Sequence, residues 1–266
     1  MKNKKNQKLE NFNSIICGST SGIGKATAIE FANASANVTL VGRNKTKLQE
    51  LLKNLSNNGK QNHQFILADF DNYLNLKNVI TNHIEDGNCY HILVNNSGGP
   101  KGGLIKRAKT EEFTTAFNRH LICNHILFKA LLPGMIKFNY GRVINIISTS
   151  VKQPIAGLGV SNTVRAAVAS WAKTLSFEVA AHGITVNNIL PGFTNTARLK
   201  SIIKDKAESE KTTLSEIEQN MKSTVPLNRF GEPYETAKAI LFLASSDSNY
   251  INGVSIAVDG GRLTSI

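Results

Sequence analysis

Cys17-Gly18-Ser19-Thr20-Ser21-Gly22-Ile23-Gly24 decides the fold. A β-branched apolar run, Ser14-Ile15-Ile16-Cys17, leads into it, and Lys25-Ala26-Thr27-Ala28-Ile29-Glu30-Phe31-Ala32 leads out. That pattern is strand, glycine turn, helix. Glycines at 18, 22 and 24 permit a tight turn with no Cβ to keep a phosphate from the backbone. The helix that follows offers free N–H groups and a partial positive charge to an anion. An ordinary strand-to-helix turn uses glycines too, so the meaning of this one depends on the rest of the chain.

Outward from the turn, strands alternate with helical stretches, which predicts parallel βαβ units. Strands are expected at about 13–18, 37–42, 65–68, 91–94, 143–147, 184–190 and 254–258. Helices are expected at about 22–34, 45–57, 73–86, 111–138, 160–181 and 233–244, with Asn57-Asn58-Gly59 stopping the second. The fold class is α/β: a single doubly wound Rossmann-type domain, a seven-stranded parallel sheet with helices on both faces. Residues 1–10 read as a disordered basic lead-in and 11–266 as the domain. Residues 197–223, rich in Lys, Glu, Ser and Thr, read as a mobile flap over the site.

Composition bounds the function. The 266 residues fit one α/β domain, and 41% hydrophobic content supplies a sizeable core. No apolar run approaches the roughly 20 residues of a membrane span, and the polar N-terminus is no signal peptide. Three cysteines without metal spacing predict free thiols and a cytoplasmic setting. The net charge of +12 is scattered, with no aromatic-interleaved basic run, which argues against nucleic acid. A basic surface also suits a polyphosphate cofactor or an acidic carrier protein.

In a doubly wound sheet, ligands bind beyond the carboxyl ends of the strands. The unusual residues gather there: the glycine turn, Arg43, Asp69, Asn95-Asn96-Ser97-Gly98-Gly99, Ser148 and Pro191-Gly192. With Thr196 and Val258-Asp259-Gly260-Gly261, this set resembles the short-chain dehydrogenase/reductase family over about residues 10–261. It is most similar to the 3-oxoacyl-carrier-protein-reductase-like branch.

The resemblance implies roles. Gly18, Gly22 and Gly24, with Ser21 and Ile23 between them, would line a pyrophosphate. Asp69 would accept from the adenine amino group. Asn95, Ser97 and Gly98 would flank the adenosine ribose. Ile189, Pro191 and Phe193 would shape the nicotinamide pocket, with Gly192 also at the cofactor and Thr196 near a phosphate or the carboxamide. A carboxylate ending the second strand would repel a 2′-phosphate, whereas Arg43 can grip one, with Asn44 and Ser19 adding neutral hydrogen bonds. The implied cofactor is NADP(H), the alternative NAD(H). The implied partner is a small carbonyl or alcohol substrate, carrier-protein- or CoA-linked in the branch it resembles. Neither nucleic acid nor membrane is expected. A homotetramer or homodimer is.

The chain departs from the family at the chemistry. The family pair Tyr-x-x-x-Lys falls at Ser161 and Arg165, and the family's helix asparagine falls at His120, so only Ser148 remains of four. A serine hydroxyl is far less acidic than a phenol, and its oxygen lies roughly 4 Å closer to the backbone. Arginine keeps the charge but stays protonated. In one reading Ser148 and Ser161 hold the substrate oxygen, Arg165 stabilises charge, and His120 or a water delivers the proton. In another the chain binds cofactor as a catalytically impaired regulatory subunit. A third, non-redox reading resembles the halohydrin-dehalogenase-like branch, which shares the arginine but keeps the tyrosine and lacks the glycine turn. Ser161→Tyr with Arg165→Lys is expected to raise NADPH-linked ketone turnover by about 10-fold or more if only the acid is missing. Steady-state assay of the double variant checks it, and unchanged turnover counts against that reading.

Overall fold

The computed structural model describes residues 8–57 and 60–265. Seven parallel strands form one sheet in the order β3-β2-β1-β4-β5-β6-β7. They are β1 (Asn13–Cys17), β2 (Asn37–Gly42), β3 (Gln64–Leu67), β4 (Ile92–Asn95), β5 (Gly141–Ile146), β6 (Ile184–Pro191) and β7 (Ser255–Val258). The chain winds outward from β1 in one direction through β2 and β3, then returns to β4 on the other side. This reversal puts a crevice between the carboxyl ends of β1 and β4.

Alternate side chains along the strands serve opposite faces. On one face Ile15, Cys17, Leu93 and Val143 pack against α3 (Tyr73–Glu85), α5 (Cys123–Phe138) and α6 (Gly159–Glu178). On the other, Ile16, Val38, Leu40 and Ile144 pack against α1 (Gly22–Asn33), α2 (Lys45–Asn54) and α9 (Pro233–Ala244). Each fully buried Ile or Leu contributes about 1.5–3 kcal/mol. Burial on both sides explains why these strands read as nearly unbroken apolar runs.

Four expectations need correction. The lead-in does not extend to residue 10: Leu9 is fully buried in the core of the α1 face, and its N–H donates to the Ala34 carbonyl at 3.0 Å. Residues 1–7 lie outside the described residues. The second helix ends at Asn54, and Asn58-Gly59 also lie outside the described residues. The stretch read as a flap is two helices, α7 (Ala197–Glu210) and α8 (Leu214–Ser223). Their apolar residues are sparse but meet one another, Leu199, Ile203 and Ala207 against Ile217 and Met221. Thr196 and Thr213 cap them, each accepting from a backbone N–H three residues on.

The fourth correction concerns the long helix. α4 (Thr110–Phe117) runs through a wider π turn at Asn118–Ile122 into α5. By length and composition the stretch Thr110–Phe138 could cross a membrane. Its buried stripe of Leu127, Phe128, Leu131 and Met135 packs into the sheet's core instead. Leu9→Ala is expected to cost about 2–5 kcal/mol, because the site is closed over by α1 and cannot collapse freely. Denaturant unfolding measures this, and a loss below about 0.5 kcal/mol would mean residues 8–10 are dispensable.

Candidate active site

The crevice at the strand reversal opens into a cleft of about 490 Å³. Its floor is the β1–α1 turn. A Cβ on Gly24 would sit well inside contact distance of the Gly18 carbonyl oxygen and 2.7 Å from Asn96 Nδ2. A Cβ on Gly18, whose φ is +58°, would lie 2.7 Å from the same amide. Asn96 Nδ2 donates to the carbonyls of Cys17 (3.2 Å) and Gly18 (3.3 Å). The end of β4 is thereby tied to the end of β1. Ser21 is the N-cap of α1 but its side chain makes no capping hydrogen bond. Ser21, Gly22 and Ile23 line the cleft, so the uncapped first turn faces it.

Arg43, Asp69 and Asp71 line one end. Arg43 is largely exposed and stands 3.8 Å from a carboxylate oxygen of each acid. Asp71 is held more firmly by Arg119, whose Nε donates at 2.6 Å. Arg43 is therefore free to turn towards an anion. Ser97, Gly98, Pro191, Gly192, Phe193 and Thr196 continue the wall as the sequence predicts.

At the opposite end stand Ser148, Ser161 and Arg165. Ser148 follows β5, and its Oγ accepts from the Ser150 N–H at 3.0 Å, capping a short 3₁₀ turn. This leaves its O–H able to donate. Ser161 and Arg165 lie one turn apart on α6. Arg165 is nearly buried, and one of its N–H groups donates to the Ile146 carbonyl at 2.8 Å. Burial, and then the charge of Arg198, bring its pKa down to about 10, so it remains a cation at neutral pH. Together these groups can hold and stabilise a developing oxyanion. Among the described residues lining the cleft there is no tyrosine, lysine or histidine.

Besides Ile189, which is buried in the core, five predicted site residues do not reach the cleft. Ser19 is fully buried, and its Oγ donates to the Val41 carbonyl at 3.2 Å. Its neighbour Thr20 faces the cleft instead. Asn44 caps α2 by accepting from the Lys47 N–H, which occupies its carbonyl oxygen. Gly24 acts from behind the turn, as described. Asn95 starts a buried amide ladder: its Nδ2 donates to Asn145, Asn145 to Asn188, and Asn188 to the Ser255 hydroxyl, at 2.9, 3.0 and 3.1 Å. These four residues are register partners on β4, β5, β6 and β7. Asn95 therefore braces the sheet, and Asn96 supplies the cleft.

His120 is the fifth. The π turn places it inside the fold, where Nδ1 pairs with Ser97 Oγ at 2.7 Å and Nε2 is buried without a partner among the described residues. Burial, followed by Arg165 and Arg119, holds its pKa well below the ordinary histidine value. It is neutral at neutral pH and has no imidazolium proton to give. Sequence reasoning also missed Arg198 and Arg262, both of which line the cleft. Arg262 lies 4.2 Å over the Phe193 ring. Neither arginine sits in a motif, so only their positions just after Thr196 and Gly261 pointed to them.

A crevice at the strand reversal of a doubly wound parallel sheet is where dinucleotide-dependent enzymes of this fold class seat their ligand. The family model described as Enoyl-(Acyl carrier protein) reductase matches residues 18–262. A 3-oxoacyl-(acyl-carrier-protein) reductase of Vibrio cholerae is 32% identical over 253 residues, 95% of this chain and 98% of that protein. The crystal structure of YwfH, an NADPH-dependent reductase involved in bacilysin biosynthesis, superposes with a TM-score of 0.90. It is 26% identical and the match covers 96% of this chain and 99% of that one. L-sorbose reductase from Gluconobacter frateurii, solved with NADPH and L-sorbose, also gives 0.90 at 27% identity, covering 98% of this chain and all of that one. The chain belongs to the short-chain dehydrogenase/reductase family, whose members act on CH–OH and C=O groups.

The neutral burial of His120 makes stability depend on pH. The unfolded chain takes up a proton near pH 6.5 that the folded chain refuses, so stability is full above about pH 6.5 and falls below it. His83 and His91 are also held low by burial and act in the same direction. His120→Asn is expected to flatten the loss between pH 7 and 5 by up to about 1.4 kcal/mol per pH unit. Urea unfolding at several pH values reads the slope, and equal slopes in the two proteins would contradict a neutral His120.

Proposed function

We propose that the chain is an NADP(H)-dependent oxidoreductase that reduces a ketone or 3-oxoacyl-type carbonyl, or oxidises the matching alcohol. One observation carries the reading: a single cleft joins the uncapped N-terminus of α1, with its Cβ-free glycines, to Arg43 at one end and Ser148–Ser161–Arg165 at the other. The residues present fit the cofactor. Gly18, Ser21 and Gly22 line the cleft at the uncapped first turn of α1, where backbone N–H groups can meet a pyrophosphate. Arg43, largely exposed and only loosely paired with Asp69 and Asp71 at 3.8 Å, suits a 2′-phosphate, and Thr20 and Ser21 also line the wall. The relatives described as NADPH-dependent, or solved with NADPH, support that choice.

When bound, the dinucleotide supplies or accepts the hydride. The chain's own residues do the rest. Ser148 and Ser161 donate hydrogen bonds to the substrate oxygen. Arg165 stabilises the negative charge that develops there. His120 holds Ser97 in place by their hydrogen bond and takes no part as an acid. A water entering the open cleft delivers the proton, because among the described residues no tyrosine, lysine or histidine lines it.

That last feature also favours a second reading, a cofactor-binding but catalytically impaired regulatory or binding subunit. Turnover separates the two: NADPH binding with oxidation by some member of a ketone, diketone and 3-oxoacyl panel supports the enzyme. Binding without any turnover supports the subunit. For partners, the reading includes a carrier-protein- or CoA-linked substrate, a cytoplasmic setting and a homodimer or homotetramer. Exposed Phe117, Ile136, Phe138 and Phe177 on the α4–α5 and α6 helices suit such subunit packing.

Arg43→Gln is expected to weaken NADPH about 10- to 100-fold, the worth of a charge-assisted phosphate contact, while leaving NADH within about twofold. Fluorescence titration with both dinucleotides measures it. Equal losses for both would remove Arg43 from 2′-phosphate recognition.

A further inference from the structure

Arg165 and Arg198 point their guanidiniums at the same place. A Cβ built on Gly99 would meet Arg165 at 3.8 Å and Arg198 at 3.9 Å. Both arginines line the cleft, one from α6 and one from α7. Among the described residues neither forms an ion pair with a carboxylate. Asp205, further along α7, acts on Arg198 only at a distance. Each guanidinium has one hydrogen bond to a backbone carbonyl, Arg165 to Ile146 and Arg198 to Pro100 at 2.6 Å. A guanidinium carries five N–H donors in a fork that matches a carboxylate. Two cations this close, partly desolvated and unpaired, repel each other, and an anion between them removes that cost.

Gly99 supplies the space. It has no positive φ and no steric need to be glycine, because the contacts a Cβ would make are ordinary ones. The gap it leaves lies between the two guanidiniums, beside Ser148 and Ser161 in the same cleft. The cofactor's phosphates have their own seat at the α1 N-terminus and Arg43. We propose that the substrate carries a free carboxylate, held between Arg165 and Arg198 over Gly99, so that the reacting carbonyl belongs to a small oxo acid. This deepens the oxidoreductase reading and rests on it for the identity of the carbonyl. The anion seat itself is read independently.

The test compares malonate with its neutral isostere malonamide. Both are titrated calorimetrically into the full chain, with and without saturating NADPH. Malonate is expected to bind about 10-fold or more tighter, with and without NADPH. That preference should fall to about twofold in Arg198→Gln and in Gly99→Ala, which keeps every charge but fills the gap. Lys53→Gln, an equal loss of charge on the exposed end of α2, should leave it intact. Equal binding of the two probes overturns the proposal. So does a preference that survives both cleft variants, or one that NADPH abolishes, which would assign the arginines to the dinucleotide. NADPH fluorescence is followed in parallel. If NADPH fails to bind, the oxidoreductase reading fails, while the malonate-to-malonamide ratio still decides the anion seat.

Discussion

The backbone crossing at Gly18, Gly24 and Asn96 is the constraint on which the site depends. Three segments converge there: the end of β1, the first turn of α1 and the end of β4. They approach so closely that neither glycine could carry a methyl group without something moving. The Asn96 amide then closes the junction by donating to two carbonyls of β1 and its turn. This crossing aims the α1 N-terminus into the crevice and fixes its distance from Ser97 and Gly98. The amide ladder from Asn95 to Ser255 extends the same order across the sheet, because each amide is the register partner of the next. Adjacent asparagines thus divide the labour, one bracing the strands and one shaping the cleft.

Charge is distributed unevenly along that cleft. At the Arg43 end, Arg119 and Asp71 neutralise each other and Arg43 stands loosely between two acids. At the far end, Arg165 and Arg198 each donate to a backbone carbonyl and, among the described residues, form no ion pair with a carboxylate. Burial weakens the hold of Arg165 on its proton without freeing it, so the group works as a fixed positive charge and not as an acid. The neutral His120 follows from the same crowding, since burial and two nearby guanidiniums all oppose a further cation. The far end of the cleft therefore offers two hydroxyls and two guanidiniums, a lining suited to holding an anion.

The seven-stranded parallel sheet and most element positions were legible in the sequence because two-sided burial leaves continuous apolar strands and the glycine turn has few alternatives. β2 and α9 fall at the expected residues. The two helices within residues 197–223 were hard to read because α7 and α8 bury only narrow stripes, against each other, which dilutes their periodicity. Leu9 was missed for a similar reason: one apolar residue in a basic segment carries no pattern, yet it fills a gap beside α1. Ser19 and Thr20 could not be told apart by composition, since only the path of the turn decides which hydroxyl faces inwards.

Residue identity along the chain was enough to establish the doubly wound sheet, the glycine turn after β1 and the family. These rest on local chemistry: turn conformations that demand glycine, alternation of apolar runs, and fixed spacing within one helix. Tertiary structure alone decided which amide meets the cleft, that His120 is shut away as a neutral base, and that Arg165 and Arg198 face one another across Gly99. Those facts join residues tens of positions apart, and the pKa values and charge balance they create arise from distance and burial, which exist only once the chain has folded.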